Sequence, residues 1–457
     1  MAGNTVSVHG QWSSRWVFIL AATGSAVGLG NIWRFPYVTG ENGGGAFVLI
    51  YLACVLTVGI PIMMSEVLLG RRGRQSPINT MRDLASAENK GPGWQLVGWL
   101  GVAAGFLILS FYSVVAGWSL AYVFHVPSGA FNGATAEVSA QHFDALTGSA
   151  WRLGAWHSLF MVLVISVVAR GVQGGLEKAV KWLMPALFLL LIVMVLYAAS
   201  TGDFASAFRY LFEPDFSKIT GGTVLAALGQ AFFSLSLGMG SIIVYGAYLS
   251  KDASIPQTTL IIGGVDTLVA LLAGLAIFPI VFGYGLEPGS GPGLVFVSLT
   301  IAFGQMPGGQ LFGCLFFILL TVAAWTSAIS LLEPVTAWLV ESLKWGRVKA
   351  SIIAGTGAWL LGIGSLLSFN EWSDFVVAEL NFFGWAEFIS TTVMLPLGGL
   401  FIALFAGWRM SKRSSKDELA TNGVTYFVWH FLVRFVAPVG VIAIFVNAIL
   451  IFLESLG

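Results

Sequence analysis

An all-α protein built into a membrane is the fold class this sequence predicts, and three observations predict it. Charged residues make up only 10% of the 457 positions, and the mean hydropathy is +0.85. Soluble domains carry about 25% charge, so most of this surface suits lipid rather than water. The apolar residues also fall into runs of about 20, the length needed to cross a hydrocarbon core. Glycine is abundant at 56 residues, as it is in membrane helices. The formal net charge is zero, which leaves no basic field for nucleic acid. The expected partners are a lipid bilayer and a small molecule, in a monomer or weak dimer. Cys54 and Cys314 sit in apolar runs and read as packing residues.

Eleven spans are expected, near 14–38, 43–70, 95–125, 152–170, 176–200, 222–249, 257–283, 309–342, 348–368, 374–406 and 424–452. Lys and Arg gather on the cytoplasmic side of a membrane. Here they follow every even-numbered span: Arg71, Arg72 and Arg74; Arg170, Lys178 and Lys181; Lys251; Lys344, Arg347 and Lys349; Arg409, Lys412 and Arg413. The N-terminus is therefore expected in the cytoplasm and the C-terminus outside. The first apolar run is too long for a signal-peptide core. The polar stretch near 126–151 reads as an outer connection, partly helical.

Spans 1 and 6 each carry paired glycines at midspan, in SAVGLGN (Ser25 to Asn31) and SLSLGMG (Ser234 to Gly240). Glycine there weakens a helix and permits backbone shapes closed to other residues. Close helix packing is one explanation. The other follows from position, because spans 1 and 6 open two five-span halves. Five is odd, so the halves run in opposite directions across the membrane. Interrupted helices at matching places of inverted repeats point to a transporter binding site. The resulting division is a segment 1–13, spans 1–5 over 14–200, a connection 201–221, spans 6–10 over 222–406, a loop 407–423, and span 11 within 424–457. Helices 1 and 6 are expected to be unwound at midspan. Freed amides there can take a carboxylate and freed carbonyls a cation.

Five stretches carry a resemblance: GSAVGLGNIWRFPY (Gly24 to Tyr37), ENGGGAF (Glu41 to Phe47), GIPIMMSEVLLGR (Gly59 to Arg71), GQAFFSLSLGMG (Gly229 to Gly240) and TSAISLLEP (Thr326 to Pro334). At these residues the chain resembles the neurotransmitter:sodium symporter family, above all its eleven-helix bacterial amino-acid transporters. The resemblance implies the leucine-transporter-like fold of five plus five inverted helices with an eleventh added. It implies sodium-coupled import of an amino acid across a bacterial inner membrane, and two sodium sites. The first would use Ala26, Asn31, Ser234 and Asp266 with the substrate's carboxylate. The second would use Gly24, Val27, Ala323, Thr326 and Ser327. All-oxygen ligation suits a hard cation. Read alone, the hydroxyls of Thr326 and Ser327 would bond back to their own helix.

Asp266 lies well inside span 7, where a carboxylate is costly and marks function by default. A structural polar pair and a protonated buried acid are the alternatives. Many relatives have Asn here and bind chloride nearby. Tyr51, Gln230 and Ser234 match parts of that chloride site, whereas Ala270 stands where chloride-dependent members have Ser. The expectation is that Asp266 supplies the negative charge and no chloride is required. Proton exchange through Asp266 on the return step is the further option.

By the same resemblance, substrate would lie against Ala26, Gly28, Leu29, Gly30, Ile108, Tyr112, Phe233, Ser234, Ser236, Met239, Ser327 and Leu331. Monoamine members have Asp in place of Gly28, so the ligand here must bring its own carboxylate, next to Tyr112. The remaining pocket is apolar and predicts large hydrophobic L-amino acids, including Trp, Tyr, Phe and Leu. Arg34 and Asp374 are expected to form an outer gate under a lid of Phe233. Trp12, Tyr248 and Glu341 are expected at the inner gate, where His9 stands in place of the family's Arg. An imidazole titrates near pH 6.5, which predicts a weaker or pH-sensitive lock. Gly175 and Pro185 mark an inner end of span 5 that unwinds to release the second sodium.

No Ser-His-Asp set, metal cluster or phosphate loop is present, and GENGGGAF lacks the Lys of a P-loop. An enzyme is not expected. The rival readings are a non-transporting amino-acid sensor and a carrier of another small zwitterion.

Overall fold

The computed structural model describes residues 7–289, 293–421 and 423–454. Nine helices in these residues are long and apolar enough to cross a membrane. A tenth span is the bent pair Arg15–Ala26 and Gly30–Glu41, which meet at 50°. The eleventh lies at span 6, where Gly221–Ser234 and Ser241–Ala247 are parted by Leu235–Gly240. The expected number of spans is therefore present. The intact spans are Gly45–Gly73 (span 2), Pro92–His125 (3), Ala150–Val168 (4), Val172–Thr201 (5), Ile255–Gly283 (7), Gly309–Leu343 (8), Arg347–Leu367 (9), Phe382–Arg409 (10) and Val424–Asn447 (11). Span 10 starts at Phe382 rather than near residue 374, because Asn370–Asp374 form turns ahead of it.

Spans 1–5 and 6–10 repeat one order, each opening on a broken helix, so the two halves are inverted with respect to each other. Shorter helices fill the connections: Pro77–Ala87 and Lys412–Leu419 on the face of the basic loops, and Ala136–Thr147, Phe204–Phe212 and Leu294–Gln305 on the other. The connection near 126–151 is thus partly helical, as expected. Asp203 caps one of these helices. It accepts from the Ser206 amide (3.0 Å) and hydroxyl (2.6 Å), which hold its carboxyl below the usual range.

Close packing at glycines holds span 2 against the second half of span 6. A Cβ on Gly246 would lie 2.9 Å from the Val67 carbonyl oxygen, and one on Gly70 would collide with the carbonyl of Ile243. Van der Waals contact of this kind drives helix association in lipid, where burial of apolar area does not. We expect Gly70→Val to force these backbones apart at a cost of about 1–3 kcal/mol or more. Thermal unfolding of the purified protein in detergent checks this; an unchanged midpoint would contradict the packing described.

Candidate functional site

The two breaks face each other in the middle of the bundle, and their backbone groups are satisfied one by one. In span 1, the Gly28 amide donates to Asn31 Oδ1 (3.2 Å) and the Leu29 amide to the Tyr112 hydroxyl (3.1 Å). In span 6, Ser236, Gly238 and Gly240 all have positive φ, of 55°, 77° and 75°. The Ser236 hydroxyl donates to the Ser25 carbonyl (2.8 Å), and the Gly238 amide donates to Glu66 of span 2 (2.7 Å). Gln230 reaches the Gly30 carbonyl at 2.8 Å. Such groups would be very costly unpaired at membrane depth. Glu66, Ser25 and Ser330, the last 2.7 Å from Ser25 Oγ, belong to this framework and lie within the matched motifs. They escaped the sequence reading because nothing local says which backbone group they serve.

Asp266 is fully buried and sits in a dense polar cluster. Ser234 donates to its Oδ2 at 2.5 Å and Asn31 Nδ2 to its Oδ1 at 2.8 Å. Tyr51 lies 3.1 Å from the Ser234 hydroxyl. Three of the four residues expected at the first sodium site, Asn31, Ser234 and Asp266, are thus in direct contact, and Ala26 lies at the end of the broken helix beside them. Ala270, one turn beyond Asp266 on the same helix, is also buried.

A second oxygen cluster lies between span 8 and the end of the first half-helix. The Ser327 hydroxyl is 3.3 Å from the Gly24 carbonyl, 3.1 Å from that of Ser25 and 3.2 Å from that of Val27. The Thr326 hydroxyl lies 3.0 Å from the Ala323 carbonyl. One hydroxyl has a single proton to give to three carbonyl oxygens. That surplus of acceptors fits a hard cation, which takes oxygen ligands only. All five residues expected at the second sodium site are brought together here. No group of three or more His, Cys, Asp or Glu suited to a transition metal occurs among the described residues.

Between the clusters is a small cavity of about 20 Å³, lined by Ala26, Gly28, Gly30, Ile108, Tyr112, Phe233 and others. Ser25, Ser236, Met239, Ser327 and Leu331 complete it. Of the twelve residues expected around a substrate, ten line it; Leu29 binds Tyr112 through its amide, and Ser234 turns to Asp266. The packing at Gly28 is tight: a Cβ there would lie 2.7 Å from the Tyr112 hydroxyl and closer still to that of Ser327, so both side chains would have to shift.

On one face Phe233 covers the cavity, with the Arg34 guanidinium 4.9 Å above its ring. Arg34 also donates to Gln230 (3.3 Å). The structure does not bring Asp374 to Arg34: Asp374 is exposed in the turns before span 10. Two acids interact electrostatically with Arg34: Glu387, one turn into span 10, and Glu41, at the end of the second half of span 1. The family resemblance suggests Asp374 for this gate; the structure instead makes it a solvated loop acid.

On the basic face, Trp12 is buried, donates to the Tyr245 carbonyl (3.1 Å) and contacts the Tyr245 and Tyr248 rings edge-on. His9 Nε2 lies 3.0 Å from Glu341, which also accepts from Ser76 and Asn79. The Tyr248 hydroxyl donates to Glu333 (2.7 Å), not to Glu341, and Glu333 is ion-paired with Arg347. Two adjoining locks thus close this face, and Arg347 spans them, its other nitrogen 3.5 Å from His9 Nδ1. The stretch from Gly175 to Pro185 is helical throughout. Glu177 ties it to the N-terminal segment by accepting from the Ser13 amide (3.1 Å) and hydroxyl (2.5 Å).

The chain matches the model of the sodium:neurotransmitter symporter family over residues 9–138 and 127–456. It belongs to that family. It is therefore a multi-pass, sodium-dependent symporter. Its fold is similar to the crystal structure of MhsT in complex with L-phenylalanine, with a TM-score of 0.89, 45% identity, and coverage of 96% of this chain and 99% of that one. An uncharacterised sodium-dependent transporter of Bacillus subtilis (strain 168), YhdH, is 39% identical over 443 residues, 96% of this chain and 97% of the relative. A sodium-dependent nutrient amino acid transporter of Drosophila erecta is 24% identical over 509 residues, 95% of this chain and 77% of that protein.

Two predictions follow from the geometry of this symporter. Ser234→Ala removes the donor to Asp266 Oδ2 and leaves a buried carboxylate oxygen short of a partner. A loss of about 1–3 kcal/mol is expected, read from chemical unfolding in detergent. Glu387→Gln is expected to change uptake kinetics, while Asp374→Asn leaves them as they are. The reverse pattern would restore Asp374 to the gate.

Proposed function

We propose that the chain imports hydrophobic and aromatic L-amino acids, with Trp, Tyr, Phe and Leu among them, together with two sodium ions and without chloride. The observation that carries this reading is the cavity at Gly28. Gly28 places no side chain beside Tyr112, so the lining offers no fixed acid to an amine. A substrate carboxylate can instead approach the Tyr112 hydroxyl, which lines the cavity, and the ion at Asn31 and Asp266. The rest of the lining, with Ile108, Phe233, Met239 and Leu331, favours an apolar side chain. Met239 is unbranched and adapts its shape. MhsT, whose structure was obtained with L-phenylalanine, has the same fold.

In this reading the first ion is held by Ala26, Asn31, Ser234 and Asp266, with the substrate carboxylate as its last ligand. That shared ligand couples the ion to the amino acid. Asp266 supplies the negative charge that other members take from chloride. The second ion joins Gly24 and Val27 of span 1 to Ala323, Thr326 and Ser327 of span 8. Its loss would free the two spans from each other. Release toward the cytoplasm begins with Ser13 leaving Glu177, after which span 5 unwinds between Gly175 and Pro185. The N-terminus and the basic connections face the cytoplasm of a bacterial inner membrane. One charge crossing 100 mV gains about 2.3 kcal/mol and each tenfold gradient about 1.4 kcal/mol. Two ions thus sustain accumulation of roughly a hundredfold or more.

Proteoliposomes with an inward sodium gradient test the reading. Labelled tryptophan is expected to accumulate, to be displaced by excess leucine, and to be unaffected when gluconate replaces chloride. Accumulation that persists with potassium in place of sodium, or that requires chloride, would refute the mechanism. Sodium-dependent tryptophan binding without flux would instead identify a sensor. Gly28→Asp is expected to abolish tryptophan binding while the protein still unfolds cooperatively.

A further inference from the structure

A second cavity lies outside the bundle, on the surface that faces lipid. It is a groove between the start of span 3 and span 10, with a volume of about 760 Å³. Its lining, which includes Leu96, Trp99, Leu100, Ala103, Met394 and Phe401, is almost wholly apolar. Pro92 to Ala103 measures roughly 17 Å along the helix axis, so the groove runs from the membrane edge well into the hydrocarbon. It is preformed: Trp94 is fixed against Phe405 of span 10 (5.2 Å) and Trp99 against Trp338 of span 8 (4.9 Å). Its mouth is open, since a Cβ on Gly91 or Gly93 meets nothing within 4 Å. The volume falls in the roughly 300–1,000 Å³ range of clefts that hold a small organic ligand.

The mouth is also charged. Lys90 immediately precedes the lining residue Gly91, and Arg409 ends span 10, one turn past Phe405. Both are exposed. The two loops that carry them are joined by the Ser411 amide donating to Glu88 (3.0 Å). An apolar groove whose two walls each run into a loop with an exposed cation matches one ligand class, a lipid with an acyl chain and an anionic headgroup.

We propose that this groove binds an anionic phospholipid, its acyl chain along Leu96, Leu100 and Phe401 and its phosphate between Lys90 and Arg409. The site is separate from the central cavity and does not depend on what that cavity carries. Because one wall is span 3, which also bears Ile108 and Tyr112, and the other is span 10, which bears Glu387, the lipid bridges two helices that line and gate the central site.

Native mass spectrometry of the full-length protein, titrated in detergent with phosphatidylglycerol or phosphatidylcholine, tests this. Phosphatidylglycerol is expected to bind more tightly, and the Lys90→Ala/Arg409→Ala pair to weaken it by about fivefold per cation. Ala103→Trp, which fills the groove, is expected to weaken both lipids, with Leu96→Trp as a second blocking variant should the first not fold. Arg170→Ala/Lys178→Ala, which removes two exposed basic residues of the connection between spans 4 and 5, is expected to change nothing. Equal loss in that control pair, or phosphatidylglycerol binding unmoved by either the charge pair or the blocking variants, would overturn the proposal.

Discussion

Backbone amides and carbonyls cannot be left unpaired inside a membrane, and this constraint organises the molecule. Two helices break at the same depth, and every group they free must find a partner. Tyr112, Asn31, Gln230, Ser236 and Glu66 supply partners from four different spans. The breaks are stable only because the bundle closes around them. The bundle in turn is fixed in register by these bonds, since each joins one side chain to one backbone atom.

The same arrangement leaves a surplus of acceptors. Around Ser327 three carbonyls compete for one hydroxyl proton, and around Asp266 a buried carboxylate is held by Ser234 and Asn31. Sites rich in oxygen and poor in protons are suited to cations, so the architecture that tolerates broken helices also supplies the oxygen clusters that we propose as ion sites. This joins structure to transport in a family of sodium-dependent symporters. An ion bound at the break changes the balance of interactions that keeps the half-helices in place. The contacts around Trp12, His9, Glu341, Glu333 and Arg347 are likewise hydrogen bonds and ion pairs, on the face of the basic connections.

The gates illustrate where local pattern and three-dimensional position part. Arg34 could be assigned from its motif, because WRFPY follows the break at a constant distance along one helix. One acidic partner comes from span 10, more than 350 residues later, beyond a loop whose turns carry three acids of their own, Glu371, Asp374 and Glu379. Choosing among them and Glu387 depends on where span 10 begins, and helix starts are the least legible feature of an apolar sequence. Tyr248 shows the same limit on the opposite face: its place on the gate was readable, but whether it serves Glu341 or Glu333 depends on the rotation of span 8 against span 6.

Length and hydropathy of each run, with glycine pairs at midspan, determined by themselves that the chain is an eleven-span bundle with breaks in spans 1 and 6. The reason is that lipid imposes a simple rule on every segment independently. The motif stretches also brought the oxygen clusters into view, because most of their members lie within a few residues of a break. Only the tertiary structure decided the pairings between distant spans: Glu66 with Gly238, Glu387 with Arg34, Glu333 with Arg347 and Tyr248, and Ser13 with Glu177. Each depends on the rotation and offset of two helices about their axes. Those quantities come from side-chain packing between spans, which no single segment encodes.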